Sequence, residues 1–182
     1  MRQLKSVLVL SALLVTTSAS FADVMVGGQN MMASKDIIDN AVNSADHTTL
    51  VAAVKAADLV ATLKGKGPFT VFAPTNAAFK KLPAGTVESL LKPENKSTLT
   101  KVLTYHVIAG KYDFMAMSNE IKHHNGTAEL TTVSGEKLKL MMNGSHNISV
   151  TDEGGNMANV STYDVIQSNG VINVIDTVLL PK

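Results

Sequence analysis

The chain has 182 residues, 45% of them hydrophobic, with no cysteine and a near balance of 16 basic against 15 acidic residues. That is enough apolar material for one domain with a real core and too little length for a second. The charge balance excludes the basic excess of a general nucleic-acid binder, and the absence of cysteine excludes a disulfide-stapled scaffold.

In chain order, Arg2 and Lys5 precede an apolar run from Val7 to Val15 and small residues ending in Ser20-Phe21-Ala22. This pattern reads as a secretory signal peptide over 1–22, cut after Ala22. The run is shorter than the roughly 20 residues that cross a bilayer, so no integral span is expected after cleavage. Removing Arg2 and Lys5 leaves 14 basic against 15 acidic residues. The protein is expected to be exported to the periplasm or beyond, as a monomer.

Residues 23–34 contain Gly27-Gly28, Gln29-Asn30 and Met25, Met31 and Met32 without a clean period, and read as a flexible N-terminal arm. From Asp36 to Leu63 the spacing becomes helical, with Ile37, Ile38, Ala41 and Val42 on one face and Leu50, Val51, Val54 and Ala57 on another. Asp36 and Asp46 stand where helix caps belong. Gly65-Lys66-Gly67-Pro68 ends that run. A short strand, Phe69–Phe72, then leads through Ala73-Pro74-Thr75-Asn76 into a helix carrying Phe79 and Leu82. Further short helices are predicted between Pro83 and Pro93 and from Ser97 to Tyr105.

Beyond Tyr105 the period shortens toward two, as in a sheet. Lys137–Leu140 and Asn147–Val150 alternate strictly, with Asn143-Gly144 between them as a two-residue hairpin signal. Ser134-Gly135, Gly154-Gly155 and Asn169-Gly170 mark further turns. Helices first and strands later predict an α+β domain over 35–182, its N-terminal helices packed on a C-terminal wedge of mostly antiparallel strands.

Three stretches together resemble the fasciclin family: Thr70–Phe79, Tyr105-His106 with its apolar neighbours, and Asn169–Pro181. The motif residues are Thr70, Phe72, Pro74, Thr75, Asn76, Phe79, Tyr105, His106, Asn169, Gly170 and Asp176. Read as residues, Pro74 stops a strand, Thr75 or Asn76 caps the next helix, and Phe72 and Phe79 fill the core on either side of the turn. The resemblance implies that His106 makes an internal hydrogen bond tying the motifs together. Asn173 stands where the family commonly has His, which puts any imidazole role there in doubt.

Catalytic and metal readings find little footing. His106 lacks a neighbouring nucleophile or acid in the sequence, and no nucleophile elbow, zinc helix or phosphate loop occurs. Adjacent His123 and His124 in an extended segment would point to opposite sides, and the methionines are too scattered for a thioether site. No metal and no cofactor is expected. Asn95-Lys96-Ser97 and Asn147-Ile148-Ser149 matter only in a host that glycosylates exported proteins.

The resemblance implies a non-enzymatic module binding an unknown protein, cell-surface or matrix component. Its implied contacts are Tyr105 and His106 together with Asp164, Val165 and Ile166, of which alternation favours Asp164 as the exposed one. The competing expectation is a carrier of a lipophilic small molecule.

Overall fold

A computed structural model describes residues 24–182, so the expected leader over 1–22 lies outside the described residues. The first element is a hairpin of two short strands, β1 (Val24–Val26) and β2 (Gln29–Met31), turning at Gly27-Gly28. This corrects the reading of 23–34 as a loose arm, because Val26 and Met31 are buried in the main core. Six short helices follow, interrupted by one strand: α1 (Ile37–Ala41), α2 (Thr48–Ala56), α3 (Val60–Leu63), β3 (Phe69–Pro74), α4 (Asn76–Lys80), α5 (Thr86–Leu90) and α6 (Lys96–Tyr105). Asp36 caps α1, its carboxylate accepting from the Asp39 amide at 2.8 Å. Asp46 caps nothing; it lies within a 3-10 turn over Ala45–His47 that leads into α2.

Strand β4 (Val107–Ala109) and helix α7 (Phe114–His123) precede the remaining strands, β5 (Thr127–Thr131), β6 (Lys137–Met142), β7 (Ile148–Thr151), β8 (Met157–Gln167) and β9 (Gly170–Ile175). Helix α7 replaces the extended segment expected around His123 and His124. Its signals are Asp113, which caps it through the Ala116 amide, and the spacing of Phe114, Met117 and Ile121. The turn after β6 spans Asn143–Asn147, closed by the Asn143 amide on the Asn147 carbonyl, and is longer than the predicted two-residue hairpin.

Seven strands form one sheet in the order β4-β3-β9-β8-β7-β6-β5. Only β3 and β9 run parallel; every other pair is antiparallel. Beyond β5, the Val133 amide donates to the Val107 carbonyl of β4 at 2.8 Å, so the sheet curls until its two edges meet. The fold is α+β, as the segregation of helices and strands predicts.

Alternation along β3 divides the core. Val71 and Ala73 face the helical layer, packing with Leu50, Val54, Leu103 and Ile172, while Phe72 faces the curl of β5–β8 with Ile108, Leu138, Leu140 and Ile175. Both faces of β3 and β9 are therefore covered, which explains the unbroken burial of β9. Phe72 and Phe79 consequently belong to different clusters on opposite sides of the sheet.

Candidate functional site

The three sequence motifs meet where β3, α6, β4 and β9 converge. Phe72 donates its amide to the His106 carbonyl at 2.9 Å, and β3 pairs with β9 from Phe69 opposite Gly170 to Pro74 opposite Ile175. Each polar motif side chain is engaged inside the fold. Thr70, fully buried on β3, donates its hydroxyl to the Gly110 carbonyl and accepts the Tyr112 amide, fixing the loop after β4. Buried Pro74 ends β3, and Thr75 caps α4 by accepting the Ala78 amide at 3.2 Å. Asn76 reaches away from its own helix, accepting the Thr49 amide and donating to the Ala45 carbonyl, and so clips α2 to α4.

Tyr105 and His106 are both buried. The Tyr105 hydroxyl donates to the Lys137 carbonyl at 2.9 Å and accepts the Glu153 amide; burial pushes its pKa to about 12. His106 bridges α6 and the C-terminal segment, with Nδ1 2.8 Å from the Val102 carbonyl and Nε2 accepting the Leu179 amide at 3.0 Å. Burial drops its pKa to about 4, leaving the ring neutral. Beside it buried Asp152 accepts the Leu180 amide, a partner for the C-terminal segment that sequence reading passed over. Its signal was the Asp152-Glu-Gly-Gly-Asn156 stretch, where the Asp152 carboxylate turns the chain back onto the Asn156 amide.

In the third motif, Asn169 donates to the Leu63 and Gly65 carbonyls and accepts the Ile37 amide. A Cβ on Gly170 would run into the Phe69 carbonyl of the adjoining strand. Burial works against the Asp176 charge, yet the amide of Asn159, Thr177 and Lys81 hold its carboxyl below the usual range. Asn173 is wholly buried; it accepts the Asp164 amide and donates to the Tyr112 carbonyl, so the local network closes without an imidazole.

The implied contact residues divide sharply. Tyr105, His106 and Val165 are buried and cannot touch a partner while the domain stays folded, a correction to their reading as contacts. Asp164 and Ile166 are half-buried. A register shift in β8 between Thr162 and Val165 puts Asp164 at φ 57°, turning its carboxylate onto the Phe114 amide at 2.7 Å, at the start of α7. Burial raises its pKa, and nearby Asp113 adds to the rise.

An apolar cavity of about 50 Å³ lies between the helical layer and the sheet, walled by Val26, Met31, Ile38, Leu50, Val71 and Ile172. His47, buried at its edge, bonds Ser44 through Nδ1, and burial lowers its pKa.

Comparison with known proteins agrees with this architecture. A family model for the fasciclin domain matches residues 45–181. Protein sll1483 of Synechocystis sp. is 50% identical over 146 residues, 80% of this chain and 73% of that protein. The cell surface glycolipoprotein MPB83 of Mycobacterium bovis is 38% identical over 155 residues, 82% of this chain and 62% of its own length. Among solved structures, the FAS1 domain pair of the insect cell adhesion molecule fasciclin I matches with a TM-score of 0.71 at 18% identity, over 80% of this chain and 51% of that one, so this chain spans about half its length. With its three motifs locked into one internal junction and a family match over three quarters of its length, the chain belongs to the fasciclin domain family.

Proposed function

We propose that the protein is an exported, non-enzymatic binding module of the adhesion type, made of a leader over 1–22 and one fasciclin domain, which holds a protein or surface component at the periplasmic or outer face of the cell. One observation carries this reading: the motif side chains that could have served chemistry, Thr70, Tyr105, His106, Asn169 and Asp176, are all spent on hydrogen bonds within the fold. Work is thereby left to the surface. The cell-surface description of MPB83 and the adhesion role named for fasciclin I support the same reading.

Within it, Asp164 and Ile166 are the contact candidates that remain accessible. Crosslinking the native protein in its own envelope and identifying the captured molecule supplies the partner. Asp164→Asn, which keeps an acceptor for the Phe114 amide while removing the charge, is expected to weaken that binding about tenfold without lowering the melting temperature. Binding unchanged by the substitution removes Asp164 from the surface; turnover of any substrate by the pure protein overturns the reading as a whole.

The carrier reading draws on the apolar cavity. As closed, about 50 Å³ is far below the roughly 300–1,000 Å³ of typical ligand pockets, so a lipophilic cargo would require the hairpin to lift. Solvent extraction of native protein that yields a stoichiometric organic compound would favour carriage over adhesion.

A further inference from the structure

Where β8 ends and β3 and β9 begin, two shallow grooves lie side by side. One is lined by Lys64, Lys66, Lys111 and Ser168, with Asp36 at its wall. The other is lined by Met25, Met32, Lys35 and Asn43. They form one surface. The Ser168 amide donates to the Lys35 carbonyl at 2.9 Å, and Asn40 bonds Met32 on one side and Gln167 on the other.

Met25, Met32, Lys35, Lys66 and Lys111 stand outside both core clusters. Val26 and Met31 supply the buried contacts of the hairpin, yet Met25 is 64% exposed and Met32 43% exposed. Lys64 is neutralised by Asp36 and Asp39. Lys35, Lys66 and Lys111 have no acidic partner within 4 Å among the described residues, although Lys111 is felt by Asp164 from farther off.

We propose that this end is a membrane-facing surface that takes the anionic headgroups of a phospholipid bilayer, with Lys35, Lys66 and Lys111 against the phosphates and Met25 and Met32 entering the headgroup layer. Interleaved basic and apolar side chains are the composition of proteins that lie on anionic membranes, where charge attraction and apolar burial add. A soluble polyanion would use the lysines and leave the methionines without a role. The site shares no residue with the contact candidates Asp164 and Ile166, although Lys111 lies near Asp164, and it goes beyond the binding function proposed above.

Co-sedimentation of the native protein with phosphatidylcholine vesicles, with and without phosphatidylglycerol, tests it. Binding is expected only with the anionic lipid. Each Lys→Ser change at Lys35, Lys66 or Lys111 should weaken it about fivefold, and the three together roughly a hundredfold. Met25→Ser with Met32→Ser should weaken it several-fold while leaving its salt dependence unchanged. These side chains are exposed, so the thermal transition should not move; if the triple variant unfolds, the single variants carry the test. Equal binding to neutral vesicles, no binding to either, or methionine variants that bind like the wild type while dextran sulfate competes would each overturn the proposal. Partner capture in the envelope reads a protein or surface contact and vesicle sedimentation reads lipid binding, so the two proposals fail separately.

Discussion

At the scale of single residues, His106 shows how a polar group becomes structural. The Leu179 amide can only donate, so Nε2 must be the acceptor and the ring proton sits on Nδ1, donated to the Val102 carbonyl. A second proton would bury a charge, which is why the pKa falls to about 4, and it would also break the Leu179 bond. In the unfolded chain the same imidazole titrates near its ordinary value of about 6.5. As pH falls below that value the unfolded state takes up a proton that the native state refuses, and stability is lost until pH reaches about 4, by roughly 3 kcal/mol in all. His106→Gln should therefore be less stable than wild type at pH 7 yet lose less stability between pH 6.5 and 4, measured by urea unfolding at stepped pH. Parallel pH profiles for the two proteins would refute the assignment. Asn173 makes the complementary point: it serves as donor to Tyr112 and acceptor for Asp164, with no proton to lose.

Among the elements, the β1–β2 hairpin depends on its neighbours to form. Three-residue strands are too short to show a period, and an isolated hairpin is marginal in water. Docking makes it stable: Val26 and Met31 enter the core, and the Gly27 turn lies against the Ser44–Asp46 segment. Gly27 has φ 59°, and a Cβ there would sit 2.5 Å from Ser44 Oγ and 2.8 Å from the Ala45 and Asp46 amide nitrogens. Gly27→Ala should undock the hairpin, exposing the cavity wall; increased fluorescence of a hydrophobic dye and faster amide exchange at Met31 are the expected signs. Exchange at wild-type rates would show that the turn tolerates the methyl group. Helix α7 is the opposite case, since its cap Asp113 and the stripe Phe114, Met117 and Ile121 are legible in the sequence once helix is considered beyond Tyr105. The shift toward a strand period obscured it.

For the molecule as a whole, closure of the helical layer onto the sheet passes through Asn169. Its amide group bonds Leu63, the last residue of α3, and Gly65 just beyond it, and its oxygen takes the first amide of α1. Asn169→Ala leaves those backbone groups without a partner and should cost roughly 2–3 kcal/mol in equilibrium unfolding. A loss under about 0.5 kcal/mol would show that water replaces the clasp. Local rules made much of the rest readable: a cap at Thr75 or Asn76, the breaks at Gly65–Pro68 and Asn169-Gly170, and the order of helices before strands all follow from side chains acting on their own backbone. The three motif blocks also marked which segments converge. Sequence alone could not say that Val165 is wholly buried, because alternation names two faces of a strand without saying that both are covered, nor that Tyr105 and His106 at the end of α6 are closed off from a partner. That was decided by the curl of the sheet, which wraps β5–β8 around one side of β3 and β9 while the helices cover the other. Burial on both sides is a property of long-range packing, and it turned apparent contact residues into core.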